Sequence, residues 1–198
     1  KVALKNFGKF EDATFLFADG FNAIKGTNGF GKSTILNAIV WVLTGYLASG
    51  SNDSASLKPR HNTRLAISAE LTMKVNGIAH SFKKELDENW VRPRGGSIEE
   101  LKGNITTCWL DGIQMPITQY DAETLALLNI PHIKVSNPKY ALGRSELLLA
   151  LMIPTHFSET MQWQMRRDVV NQIIGIISPE DILNAAPQLL EIKEDLAK

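Results

Sequence analysis

The nine residues Gly26-Thr27-Asn28-Gly29-Phe30-Gly31-Lys32-Ser33-Thr34 constrain this chain more than any other feature. Three glycines followed by lysine and two hydroxyl residues have the spacing of a phosphate-binding loop, in which successive backbone N–H groups turn inward toward one anion. A side chain at those turns would block the anion and force disallowed φ values, which is the reason for glycine at 26, 29 and 31. Lys32 then reaches the β- and γ-phosphates as a point charge and is the expected catalytic residue. The Ser33 hydroxyl suits the Mg²⁺ that bridges those phosphates. Asn28, Gly29, Phe30, Gly31 and Thr34 complete the expected nucleotide cradle, with the positive end of the following helix dipole behind them. The loop does not by itself separate ATP from GTP.

Such a loop needs a strand before it and a helix after it. Val2–Phe7, Ala13–Phe17 and Phe21–Ile24 read as three short strands, with Ala18-Asp19-Gly20 as a turn, so 1–45 holds strands, loop and first helix. From Lys32 to Thr44 the sequence is apolar on nearly every side, and Gly45 stands where a helix ends, so this helix should be buried on both faces. Leu47 to Thr63 is rich in Ser, Asn, Asp and Gly and predicts a mobile surface loop. Two hairpins follow within 65–117, one across Asn76-Gly77 and one across Asp111-Gly112, because both pairs accept the positive φ of tight hairpin turns. Between them, 89–103 reads as an exposed loop. From 119 to 186 the pattern is helical, with Asp121, Ser145 and Ser158 placed as caps and Pro179 at a first helical position. Leu189, Ile192 and Leu196, spaced by three and four among charged residues, open a coiled-coil seam over 187–198. The fold class expected is α/β: a P-loop lobe with an antiparallel β-meander and a helical C-terminal part leading into a coiled coil.

Composition removes other classes. With 21 basic and 21 acidic residues the charge cancels, so any nucleic-acid surface must be local. The single cysteine, Cys108, forms no internal disulfide and no paired zinc site, which fits a reducing cytoplasm. No apolar run reaches the length of a membrane span, and the N-terminus lacks a signal-peptide layout, so no membrane partner is expected. The chain starts at Lys1 without Met and stops at Lys198 within a helical pattern, which reads as part of something longer.

The stretch from Lys5-Asn6-Phe7 through Gly20-Phe21-Asn22-Ala23-Ile24-Lys25, the loop, and Ile35-Leu36-Asn37-Ala38-Ile39 resembles the start of SMC-like ABC ATPases, and most of all SbcC-type DNA-repair ATPases. Ser145 to Ile153, and Ser158 to Gly175 with Trp163, Arg166 and Arg167, carry the looser remainder of the likeness. The resemblance implies the N-terminal lobe, 1–198, of a split ATPase head using ATP and Mg²⁺. Its implied partners are the C-terminal lobe of the same protein, a second head in a homodimer, DNA, and a nuclease subunit. It also implies that the Walker B acids and the signature motif lie elsewhere, so that this chain alone is nearly inactive. Cys108-Trp109-Leu110-Asp111 is the nearest imitation of a Walker B strand, but Gly112 follows where a catalytic glutamate belongs, and the hairpin-turn reading prevails.

Two departures from the family pattern bear on the site. The glutamine that helps hold Mg²⁺ should follow the strand that Leu149 to Ile153 resembles; Pro154-Thr155-His156 stands there, with Thr155 or His156 as substitute, and a solvated loop histidine as the plainer reading of His156. Thr155 is thus a second metal-ligand candidate beside Ser33. Gly8 occupies the place where relatives carry a basic residue that approaches the nucleotide, and Lys9 stands in for it. Lys58, Arg60, His61 and Arg64 lie in the loop that passes near the nucleotide in relatives, although a polar charge cluster is more often simply solvated. The same weighing applies to Lys83, Lys84, Arg92 and Arg94 as DNA contacts, and Trp163 is expected to pack inward. Two rival readings are a chromosome-organising SMC-like structural ATPase and a RecF-like recombination mediator. A small-molecule kinase is disfavoured because the β-meander does not resemble a substrate lid.

Overall fold

In a computed structural model, residues 1–62, 64–95, 98–132 and 143–174 are described. They fall into two compact units, the first holding 1–131 with 143–160 and the second 132 with 161–174. The coiled-coil seam at 187–198 and the helix start at Ser178-Pro179 lie outside the described residues.

The first unit is built on six strands: β1 (Val2–Phe7), β2 (Phe10–Phe15), β3 (Ile67–Val75), β4 (Ile78–Val91), β5 (Glu100–Leu110) and β6 (Ile113–Met115). They form one antiparallel sheet in the order β2-β1-β3-β4-β5-β6. Period-two alternation sets the register, because successive side chains leave a strand on opposite faces. Thus Ile67, Ala69 and Leu71 of β3 are buried, as are Phe82, Lys84 and Leu86 of β4 and Cys108 and Leu110 of β5. Both hairpin turns form as the Asn-Gly and Asp-Gly pairs predict, with φ of 52° at Asn76 and 50° at Asp111. The expected loop at 89–103 is shorter than its sequence suggests, since β4 runs to Val91 and β5 begins at Glu100.

Helix α1 (Lys32–Thr44) packs on this sheet, with the Phe7 and Trp41 rings 5.8 Å apart. Gly45 ends it in the left-handed region, its N–H donating to Trp41 O at 2.9 Å. Burial on both faces holds only for the C-terminal half, Val40 to Thr44; Leu36 in the first half is exposed. Helix α2 (Ile117–Leu127) starts after Pro116, four residues before the expected cap. Asp121 is therefore an interior residue, and its carboxylate pairs with Lys84 instead of capping. Helix α3 (Arg144–Met152) starts after Gly143, so Ser145 is not its cap either. Val40 of α1, Leu149 of α3 and Ile153 share one core cluster.

In the second unit, α4 (Trp163–Ile174) carries buried Val169, while Trp163 is exposed with Arg167 stacked 5.2 Å over its ring. Inward packing of that tryptophan is overturned, and so is Ser158 as a helix start, because a wide turn over His156–Thr160 precedes α4. Among the described residues no helix is long and apolar enough to cross a membrane.

Two further expectations change. Phe21–Ile24 forms no strand, and Phe21 is almost wholly exposed, because a strand needs a hydrogen-bonded neighbour and none of the six strands pairs with it. The loop after α1 is not featureless: it makes a 3₁₀ turn at Ser54–Leu57 and buries Leu47, Leu57 and Lys58.

Candidate functional site

The glycine-rich loop sits at the N-terminus of α1, where four backbone N–H groups have no helical acceptor. Gly31 precedes the helix with φ of 94°, no side chain caps it, and the first turn holds no acidic residue. Those donors and the dipole are therefore left for an anion. The tight turn itself is closed by Phe30 N–H donating to Thr27 O at 3.2 Å. Lys32 folds back across the loop and donates to Gly26 O at 2.8 Å and Thr27 O at 3.0 Å. These bonds tie the ammonium to the first two carbonyls of the loop.

The turn between β1 and β2 forms the second wall. Gly8 N–H donates to Leu57 O at 2.7 Å, and a Cβ on Gly8 would stand 2.8 Å from the Thr34 methyl. Lys9 donates to Gly29 O and lies 5.1 Å from the centre of the Phe30 ring. A Cβ on Gly31 would meet the Phe10 ring at 2.6 Å, so only glycine lets the loop approach this turn.

The third wall comes from the loop that holds Lys58, Arg60, His61 and Arg64, for which the sequence favours a solvated face over a nucleotide contact. The segment after the 3₁₀ turn brings Ser56, Lys58, Arg60 and His61 to the rim of a cavity of about 540 Å³ that Asn28 to Thr34, Gly8 and Lys9 otherwise line. The basic cluster at 58–64 was the available signal, and the solvated-face reading is wrong for two of its members. Lys58 is buried and ion-paired with Glu88 at 3.1 Å; Arg64 stacks 4.1 Å over Trp90. A second cavity of about 430 Å³ lies on the other flank of the loop, with Phe10, Phe15, Phe17, Ile24 and Ile35 among its apolar walls.

Asn28 to Thr34, with Lys9, are thus brought to one cavity, and Thr155 is not. Thr155 is exposed and absent from the walls around Ser33, because Leu149 to Met152 is helical rather than a strand aimed at the site. His156 is no solvated loop residue either: it is buried against Gly50, and neither ring nitrogen has a partner among the described residues. For a divalent cation the fit rests on Ser33, an exposed hydroxyl on the cavity wall. Among the described residues no cluster of three His, Cys, Asp or Glu forms a metal cage, so a cation here would take its other ligands from phosphate and water, as Mg²⁺ does.

Of the proposed DNA contacts on the meander, Lys84 is excluded by burial, its amine lying over Tyr120 at 4.9 Å. Lys83 lies 4.3 Å over the Trp109 ring with Glu85 at 3.5 Å, a locally balanced surface.

The family model for an AAA domain matches residues 1–128, which is the sheet, the loop and α1 through α2. The chain belongs to this AAA-domain family. The chain is also similar to the chromosome partition protein Smc of Methanocaldococcus jannaschii, 34% identical over 90 residues that make up 44% of this chain and 8% of that protein. The Smc protein of Methanococcus voltae is 32% identical over the same length and shares. A solved structure from work on ATP-driven dimerization and DNA-stimulated activation of SMC ATPases superposes with a TM-score of 0.52 at 20% identity, covering 87% of this chain and 96% of that one. This AAA-domain chain therefore has the α/β fold of an SMC-like ATPase head, and the matched segment spans under a tenth of the length of its Smc relatives.

Proposed function

We propose that this chain is the ATP-binding half of an SMC-like ATPase acting on DNA in the cytoplasm, in repair, recombination or DNA-end processing. The observation that carries the reading is the uncapped start of α1 facing Lys32, Lys9, Arg60 and His61 across one cavity. In it the amides of Asn28 to Thr34 hold the triphosphate, Lys32 leaves its two carbonyls to neutralise the β- and γ-oxygens, and Ser33 ligates Mg²⁺. The metal, when bound, draws charge from the same oxygens. Arg60 adds positive charge and His61 a ring nitrogen from the opposite rim, and Lys9 exchanges Gly29 O for a phosphate.

Among the described residues none lining this cavity is a carboxylate, which is consistent with hydrolysis at a composite site, as the resemblance implies. Leu16 and Ile24 are exposed and line a cavity with Phe10 and Phe15 of the edge strand β2, and this apolar surface supports docking of a C-terminal lobe of the same protein. A second head, facing the first across two ATP molecules, completes the site, and its open and closed states work on DNA beside a nuclease subunit. The likeness to Smc proteins and to an SMC head solved for ATP-driven dimerization and DNA-stimulated activation supports the dimer and the DNA partner.

The test uses the full-length protein. ATP hydrolysis should rise when duplex DNA is added and should vanish in Lys32→Ala. A rate indifferent to both DNA and Lys32 would contradict the proposal, and purification without any nuclease would favour the chromosome-organising alternative.

A further inference from the structure

Strand β4 outruns its neighbour. Its pairing with β3 stops at Leu86, opposite Ile67, and from Asp87 to Val91 it continues with β5 alone, through a register irregularity between Glu88 and Trp90. Glu88 and Trp90 are two apart and so leave the strand on the same side. The Trp90 indole N–H donates to the Glu88 carboxylate at 2.7 Å. That carboxylate also receives the Lys58 ammonium at 3.1 Å, with only 2% of the lysine side chain and 7% of the glutamate side chain exposed. The Trp90 ring in turn carries the Arg64 guanidinium at 4.1 Å.

The segment 58–64 is therefore fastened to β4 at both ends, by an ion pair at Lys58 and by a cation on a ring at Arg64. Between the two fastenings, Arg60 and His61 are exposed, line the phosphate cavity and have no partner among the described residues. The charges on the segment are thus divided. Lys58 is committed to Glu88 and Arg64 to Trp90, while Arg60 is left to face an incoming anion. Burial raises the Glu88 carboxyl, but the Trp90 and Lys58 hydrogen bonds and the charges of Lys58 and Arg64 outweigh it and hold the group below its ordinary range. The same contacts that form the clasp therefore favour the charged carboxylate.

We propose that Glu88, supported by Trp90, is a positioning residue for the nucleotide site: it clasps segment 58–64 to β4 so that Arg60 and His61 face the phosphates, a reading that rests on nucleotide binding at the Gly26–Thr34 loop. Glu88 touches no nucleotide and acts only through the segment it holds. Holding that segment in place before the anion arrives removes the ordering cost that a free loop would incur on binding.

The test is ATP affinity by calorimetry with Mg²⁺ on the full chain, for wild type, Arg60→Ala, Glu88→Gln and the double variant. Glu88→Gln keeps the side-chain shape and an acceptor for the indole, and removes the charge that holds Lys58. Each single variant should weaken ATP binding about tenfold, the scale of one lost charged contact. The double variant should bind no more weakly than the weaker single one, because Glu88 acts through Arg60. Wild-type affinity in Glu88→Gln, or losses that multiply in the double variant, would overturn the assignment. Should Glu88→Gln fail to fold, Trp90→Phe keeps an aromatic ring for Arg64 and removes the pyrrole half of the indole with its N–H donor to Glu88; reduced affinity there supports the clasp and unchanged affinity counts against it. The underlying reading stands or falls separately, on whether wild type binds ATP and Lys32→Ala does not.

Discussion

The ammonium of Lys84 lies 3.3 Å from the Asp121 carboxylate and joins the middle of the sheet to helix α2, with 1% of the lysine side chain exposed against 33% of the aspartate. A charge so deep in the sheet is tolerated because it has this partner and the Tyr120 ring beneath it. Asp121→Ala strands the ammonium and should destabilise the chain by about 2 kcal/mol, less than a fully buried pair would lose because the aspartate is partly solvated. Pairing it with Lys84→Met should restore most of that loss, since an apolar isostere no longer needs the carboxylate. Urea unfolding of both variants decides, and equal stability of single and double variants would refute the buried-charge argument.

Gly31→Ala tests the close approach of the loop to the β1–β2 turn. At φ of 94° an alanine is strained, and its Cβ would lie 2.6 Å from the Phe10 ring. The backbone strain alone is about 1–2 kcal/mol, and relief of the clash displaces the amides that hold phosphate. ATP affinity should fall about tenfold or more while the melting temperature changes by only a few degrees. Wild-type affinity would show that the loop tip adapts.

What the sequence made legible here is what local chemistry decides. The loop, α1 from Lys32 to Thr44, its Gly45 stop and both hairpin turns follow from glycine, Asn-Gly, Asp-Gly and apolar patterning, all read within a few residues. Phe21–Ile24 has strand composition, yet strand formation depends on a neighbour, and composition cannot supply one. Asp121 and Ser145 are good caps in isolation, but Pro116 and Gly143 start those helices earlier, and Lys84 gives Asp121 another partner. The rim of the site was only half legible for the same reason. Lys58, Arg60, His61 and Arg64 stand out as a basic cluster, but that Lys58 pairs with Glu88 and Arg64 stacks on Trp90 depends on residues some thirty positions on by the numbering.

The Asp111 carboxylate accepts the Ser81 N–H at 2.8 Å and pairs with His80 Nδ1 at 2.7 Å. The Ser81 hydrogen bond first, and then His80, hold it below its ordinary value. A group depressed in the folded state stabilises above its unfolded value and loses that stabilisation as pH falls through the folded one. Stability should therefore decline as pH falls below the ordinary aspartate range, about 4. Asp111→Asn keeps a residue that accepts positive φ and removes the titration, so its acid-side decline should be shallower in thermal melts. An identical slope would remove Asp111 from the account.

The most direct measurement is calorimetric titration of this chain with ATP and Mg²⁺, in wild type and in Lys32→Ala. The account predicts saturable binding by the wild type and a loss of about 2–3 kcal/mol in the variant, the scale of a charged hydrogen-bonding contact. Equal affinities, or no binding by a folded wild type, would contradict it.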